Sequence, residues 1–232
     1  MGNGMNKVVD GLFLGNYRDS ENRQSLSKNG ITHILSVHDH AKPVYEDMTY
    51  LCIVAADTPS QNLSQHFKDC IGFIHECRLN GGSCLVHCLA GVSRSTTMVV
   101  AYLMTVTKYD WKECLTAVKA VRSFVGPNNG FQQQLQEYQV TLVSEYQTWL
   151  ESSYRHSPFK DQEQVAALLS LYLEQQENKK KDKDAFLFSL GREDGALPYA
   201  QENAEENAEE NAEENAEENA EENAVDNAED KS

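Results

Sequence analysis

The sequence predicts an α/β fold with a central, mostly parallel sheet flanked by helices. Three observations carry that prediction. Short apolar runs rich in β-branched residues alternate with stretches of helical periodicity, the pattern left by crossover connections between parallel strands. One such run, Cys84 to His87, passes straight into a loop of small residues and then a helix, which places the loop at the carboxyl end of a strand, where open α/β sheets bind ligands. Finally, 232 residues suit one globular domain of roughly 150–190 residues plus an appendage.

Taken in order, Val8-Val9 and Leu12-Phe13-Leu14 flank Asp10-Gly11, a hairpin signature. A polar helix over 21–29 is expected to stop at Gly30, a residue that can take the left-handed conformation ending many helices. Ile31 to Val37, β-branched and almost uncharged, reads as a buried strand, and Tyr50 to Ile53 as another. Leu63, Phe67, Ile71 and Ile74 recur at helical spacing and mark an amphipathic helix ending near Asn80-Gly81-Gly82. Ser95 to Val106 is apolar on most faces and is expected to be a buried central helix. Trp111 to Arg122 follows, with Trp111, Leu115 and Val118 as its core stripe, and one further helix is expected from Phe131 to about Leu150.

Residues 1–150 are thus the expected domain. Residues 151–190 read as a helical or linker extension, in which Val165, Leu168, Leu169 and Leu171-Tyr172 are apolar. Its Lys179–Lys183 cluster fits a solvated linker better than an import signal or a lipid-headgroup patch, and Phe186-Leu187-Phe188 is a short apolar island. Whether the extension docks on the domain is open at this level. From Glu202 the chain repeats Glu-Asn-Ala-Glu five times; residues 201–232 hold 14 acidic groups and one lysine, which is 13 of the 16 net negative charges. Glu above Glu at i and i+4 works against a helix, and no apolar face exists to dock, so 191–232 is expected to be a disordered acidic tail. The acidity therefore says little about the domain.

No run approaches the roughly 20 apolar residues of a membrane span, and no secretory signal opens the chain. The six cysteines lack C-x-x-C spacing, which argues against a disulfide framework or a zinc site and for a reducing compartment. Cys84 is an unsuitable disulfide partner for Cys88, because four strand residues span about 13 Å.

The chemistry is concentrated in His87-Cys88-Leu89-Ala90-Gly91-Val92-Ser93-Arg94-Ser95. The backbone N–H groups of Leu89, Ala90, Gly91, Val92, Ser93 and Arg94 can curl around one point, and the following helix N-terminus adds its dipole; together they suit a phosphate dianion. The same partial charges favour Cys88 as a thiolate, the nucleophilic form. Arg94 has a planar fork able to grip two phosphoryl oxygens, Gly91 permits close backbone approach, and the Ser93 and Ser95 hydroxyls can orient the loop or stabilise a departing thiolate. An ordinary turn with a buried cysteine is the competing explanation, but H-C-x-x-G-x-S-R arises by chance in a chain of this length on the order of once in ten thousand.

This stretch resembles the signature of the cysteine-phosphatase superfamily, in the form carried by the dual-specificity protein phosphatases. The opening M-G-N-G-M-x-K and G-L-x-L-G-N further resemble the N-myristoylated, JNK-pathway-associated subgroup of the small atypical members, a similarity that runs to about residue 160. From the motif alone, an acylated Gly2 and a merely frayed terminus stand even, because Asn6 replaces the preferred Ser or Thr; the resemblance implies acylation. A single myristoyl chain gives weak, reversible membrane binding, so a mainly cytoplasmic protein is expected, with nuclear and transient membrane-bound fractions.

The resemblance also implies the remaining roles. Hydrolysis of a phosphate ester needs an acid for the leaving oxygen. Locally Asp57 reads as a turn or cap residue, but the family places its acid about this far upstream of the cysteine, here 31 residues, which assigns the role to Asp57 over Asp39 and Asp47. P-N-x-G-F-x-x-Q-L matches a family element whose first Asn, Asn128, braces the phosphate loop. His87 is expected to support Cys88 through hydrogen bonds to the loop, whereas His33 and His38 are expected to be structural. No metal or cofactor is expected. Leu89, Ala90 and Val92 offer no extra cation for a polyphosphorylated lipid or RNA end, so the implied substrates are phosphorylated proteins, including stress-kinase pathway components, met by a monomer without nucleic acid. The contrary classes are a weak or inactive phosphoprotein-binding module and a phosphatase of a non-protein ester; retention of nucleophile, arginine and acid together favours the enzyme.

Overall fold

The computed structural model describes residues 4–190, with side chains through 187. β1 (Asn6–Val9) and β2 (Leu12–Gly15) pair antiparallel across Asp10-Gly11. The remaining strands, β3 (Ile31–Val37), β4 (Thr49–Ile53) and β5 (Ser83–His87), join in parallel, giving the order β1-β2-β5-β3-β4. β5, which feeds the cysteine loop, is therefore bonded on both edges and buried from Cys84 to His87.

Strand periodicity divides the core. Leu12, Leu14, Leu35, Val37, Cys84 and Val86 face the larger core. Phe13, Ile34 and Leu85, offset by one residue, face a smaller one closed by Leu26. Across the larger face run α3 (Phe67–Leu79), α4 (Arg94–Val106), α5 (Trp111–Val121) and α6 (Asn129–Thr141). α4 is the central helix that its composition predicts, buried from Arg94 through Thr105. A capping box of Asp110 with Glu113 starts α5.

Two expected helices are each divided. The polar helix over 21–29 is α1 (Tyr17–Glu21) followed by α2 (Arg23–Lys28). Asn16 and Asp19 form a capping box that starts α1 early, and the Asn22 carboxamide oxygen accepts from Ser25 N at 3.0 Å, restarting the chain as α2. The helix expected over 131–150 breaks at Leu142, where φ is −125°, into α6 and α7 (Val143–Ser153). The break falls in Val140-Thr141-Leu142-Val143, whose β-branched residues favour a helix least. It lets Leu142, Val143, Tyr146 and Trp149 pack on the core.

The segment beyond 150 also joins this core. α8 (Asp161–Leu190) begins with Asp161 buried against Arg78: Nη2 donates to Oδ1 at 2.7 Å and Nη1 to Oδ2 at 3.0 Å. Val165 is buried, Leu168 and Leu169 are partly buried, and Gln164 accepts from Asp10 N at 2.9 Å. Packing thus carries one compact unit through Asn178, beyond the expected limit at 150; the second unit starts at Lys179, and its lysine cluster and Phe186-Leu187 are exposed. Among the described residues no helix is long and apolar enough to cross a membrane. Gly2 and the acidic repeat lie outside the described residues.

Candidate active site

Cys88 directly follows the central strand and is 1% exposed. Its Sγ accepts from Gly91 N–H and from Ser95 Oγ–H, both at 3.2 Å. From Cys88 to Ser93 every backbone carbonyl is turned away from this sulfur and bonded elsewhere. Cys88 O lies 3.3 Å from His87 Nδ1, and Leu89 O accepts from Tyr17 N. Ala90 O and Gly91 O accept from Arg122, Val92 O from Gly126 N, and Ser93 O from Thr97. No peptide bond in the described chain is cis, and in a trans peptide the next N–H opposes the carbonyl. The N–H groups of Leu89 through Arg94 consequently point away from those partners, that of Gly91 toward Cys88 Sγ, and α4 begins at Arg94. The result is an anion cradle made of main chain, opening beside a thiol.

Gly91 makes that curl feasible. Its φ is +67°, a left-handed conformation, and an added Cβ would run into Gly15 O and come within 2.7 Å of Arg122 Nη2. A side chain at this position would strain the backbone and crowd Gly15 and Arg122.

Arg94, buried at the start of α4, donates Nη1–H to Ala55 O at 2.9 Å and to Asp39 Oδ2 at 2.8 Å. Its Nε–H has no hydrogen-bond partner and lies 3.8 Å from Asp57 Oδ2. A buried guanidinium N–H without a hydrogen bond is a donor left over for a ligand. The Asp39 carboxyl is held below its usual pKa by its hydrogen bond from Arg94. Considered as an acid in the sequence, Asp39 stands in the structure as the counter-ion of Arg94. Asp47 lies elsewhere, paired with Arg23 at 2.6 Å.

Asp57 is tethered over the mouth. Its Oδ1 accepts from Ser93 Oγ at 2.7 Å and from Asn128 Nδ2 at 2.9 Å. Asn128 is thus used twice: its Oδ1 caps α6 by accepting from Phe131 N, while its backbone N–H reaches Ser93 Oγ at 3.2 Å. Its side chain therefore braces the aspartate, and only its backbone touches the cysteine loop. A Cβ on Gly130 would strike Pro59 O, so the amino end of α6 packs directly beneath the Asp57 loop.

The rings of Tyr17, His38 and His87 cluster beside the loop, His38 and His87 tilted with centroids at 5.6 Å and Tyr17 edge-on to His38 at 5.7 Å. A carbonyl only accepts, so His87 carries its proton on Nδ1 toward Cys88 O. Burial pulls the His87 pKa down to about 4, and His38, pulled down by burial and by Arg94, keeps the cluster neutral near pH 7. His33 stacks on Phe73, away from the cradle. A separate cleft of about 490 Å³ opens near the carboxyl end of α4, lined by His75, Lys108, Glu151, Arg155, His156 and other residues, and none of the cradle lines it.

Sequence reasoning passes over Arg122 and Tyr17. Arg122 merely ends a predicted helix, and nothing in its neighbours signals that the chain folds it under residues 90 and 91.

Residues 12–141 match the family model described as the dual specificity phosphatase catalytic domain. The chain is 74% identical over 204 residues to Dual specificity protein phosphatase 22-A of Danio rerio, covering 88% of this chain and 98% of that one. It is 57% identical over 170 residues to Dual specificity protein phosphatase 22 of Homo sapiens, covering 73% and 92% respectively. Among solved structures, that of DUSP15 is 51% identical, with a TM-score of 0.65, covering 67% of this chain and all of that one. By these matches the chain belongs to the dual specificity phosphatases.

Proposed function

We propose that the chain hydrolyses phosphotyrosine and phosphoserine/threonine in proteins through a cysteinyl-phosphate intermediate. The observation that carries this reading is the unbroken set of outward-bonded carbonyls around the Cys88 sulfur. In the first step Cys88 thiolate attacks phosphorus, the P–O bond to the substrate breaks, and Asp57 gives its proton to the leaving oxygen. In the second step Asp57, now a carboxylate, takes a proton from water as the oxygen attacks phosphorus. The P–S bond breaks, releasing inorganic phosphate and restoring the thiolate, which Ser95 Oγ–H stabilises. The inward N–H groups and Arg94 hold the equatorial oxygens through both steps. Ser93 and Asn128 keep Asp57 over the cradle from both sides.

Exposed Leu89 and Ala90 bring no cation to the mouth, which supports phosphoprotein substrates over polyphosphates. The resemblance of the opening sequence supports a place in JNK stress-kinase signalling, with myristoyl-Gly2 giving weak membrane attachment to a chain that works in the cytoplasm and reaches the nucleus. The test compares wild type, Cys88→Ser and Asp57→Ala on matched phosphotyrosine and phosphothreonine peptides and a phosphoinositide. Both peptides are expected to be hydrolysed, with activity lost in Cys88→Ser. Full activity in Cys88→Ser would sink the mechanism; preference for the phosphoinositide would sink the substrate class. Wild-type chain that takes up no myristate, or label that survives Gly2→Ala, would remove Gly2 as the lipid anchor.

A further inference from the structure

Arg122 has an unusual set of partners. It is 2% exposed, yet no carboxylate lies within ion-pair distance among the described residues. Nε–H donates to Gly91 O at 2.9 Å and an Nη2–H to Ala90 O at 3.3 Å. On its far side Nη1 donates to Gly4 O at 3.1 Å and to Asn6 Oδ1 at 2.8 Å. The guanidinium plane lies 4.5 Å from the centre of the Phe124 ring. All four acceptors are uncharged oxygens, and two of them belong to consecutive peptides of the cradle.

The consequence for the site follows from peptide geometry. A guanidinium fork that fixes the Ala90 and Gly91 carbonyls outward fixes the Gly91 and Val92 N–H groups inward. The Gly91 N–H is the one already directed at Cys88 Sγ. Buried Asp19 acts on Arg122 from beyond ion-pair distance and no carboxylate bonds it, so its charge also contributes to the positive potential behind the loop, where a thiolate and a dianion must both sit. Its own orientation depends in turn on the chain's amino-terminal arm, which supplies two of its four acceptors.

We propose that Arg122 is a positioning residue of the phosphate cradle, held in register by Gly4 and Asn6, so that the amino-terminal arm is a working part of the active site. This rests on reading Cys88 as the nucleophile. It assigns the arm a role separate from carrying any lipid: the ordered arm keeps two cradle amides aimed at the phosphoryl group. Arg122 touches neither substrate nor the reacting sulfur, so its effect is read through binding of an oxyanion and through turnover.

The experiment measures inhibition by vanadate, kcat and KM on a phosphopeptide, and the rate of Cys88 carboxymethylation by iodoacetate, in the full chain. The variants are Arg122→Lys, Arg122→Ala, Asn6→Ala and Cys88→Ser, each with its thermal midpoint recorded. Losing hydrogen bonds from a charged donor predicts vanadate affinity and kcat lowered about ten-fold in Arg122→Lys, which keeps the charge but not the fork, and more in Arg122→Ala. Asn6→Ala, which leaves the cradle sequence intact, is expected to lower both by about three-fold at an unchanged thermal midpoint. Carboxymethylation is expected to slow in the same order. Wild-type vanadate affinity and kcat in both Arg122→Lys and Asn6→Ala would overturn the proposal, as would losses in Arg122→Ala matched entirely by its unfolded fraction. Hydrolysis that persists in Cys88→Ser would instead overturn the underlying mechanism, so the two failures are told apart.

Discussion

At one end of the central strand the buried guanidinium of Arg78 meets the Asp161 carboxylate through two hydrogen bonds, at 2.7 and 3.0 Å, and donates further to Tyr102 and to Asp10 O. At the other end the equally buried Arg122 meets only uncharged oxygens, and Arg94 shares one nitrogen with the half-exposed Asp39 while its Nε–H stays unpaired. The first arrangement spends its charge inside the protein. It ties the amino end of α8 to α3 and to the β1–β2 turn, and leaves nothing over for a ligand. The second compensates its charge only in part, through half-exposed Asp39 and more distant Asp19 and Asp57, and leaves one guanidinium N–H without a hydrogen bond. Burial alone therefore does not say what an arginine is for; the character of its acceptors does.

The largest test of that contrast is Asp161→Ala. Removing one partner of a buried pair strands the other charge, so a loss of about 3–5 kcal/mol in urea-unfolding free energy is expected. Turnover per folded molecule should stay at the wild-type value. A fall in kcat without a fall in stability would break the division between the two ends. At the reacting end the mirror result is expected from Asp57→Asn: stability near wild type, and kcat on a phosphopeptide lowered on the order of a hundred-fold or more. Loss of stability comparable to that of Asp161→Ala would show the Ser93–Asp57–Asn128 contacts to be structural first.

Acid should weaken both ends through buried histidines. The His87 pKa is pulled by burial to about 4, below the ordinary His value of 6.5, and burial lowers His75 at the opposite end as well. Between those values the unfolded chain binds a proton that the folded one excludes. His87 therefore contributes stability that is complete above about pH 6.5 and is lost as pH falls toward 4, with an upper size of about 3 kcal/mol. Urea midpoints measured from pH 7 to 4.5 should fall, and less steeply in His87→Gln; identical slopes would rule His87 out as a source. The smallest effect is expected at Asp39, whose carboxylate is half exposed. Asp39→Asn frees Arg94 Nη1 from a competing anion, so KM should fall by about two- to three-fold while kcat falls comparably, the scale of an exposed ion pair. A rise in KM would mean that Asp39 orients Arg94 rather than competing with substrate for it.

What the amino-acid sequence reveals of this molecule divides along the same line. Features written in consecutive residues are legible: the hairpin at Asp10-Gly11, the buried strand from Ile31, the central helix after Arg94, and a loop whose side chains and glycine announce an anion site. The divided helices are half legible, because Asn22 can cap a helix but also sit within one, and Val140–Val143 only weakens helical preference. Features made by distant residues are not legible. Asp39 resembles an acid until the fold sets it against Arg94, Asn128 touches the loop through its backbone and Asp57 through its side chain, and Arg122 and Asp161 look like any charged residue near a helix end. Their positions depend on which elements become neighbours, and no local pattern records that.

In the proposed reaction the amides of residues 89–94 that would hold phosphate belong to the main chain, so that grip would not pass through the side chains of Leu89, Ala90 and Val92. Leu89 and Ala90 are exposed and Val92 partly so. Substitutions at these three positions can change what the rim welcomes while the reaction beneath stays the same. Descent can therefore explore new substrates at this mouth without first surrendering the old chemistry.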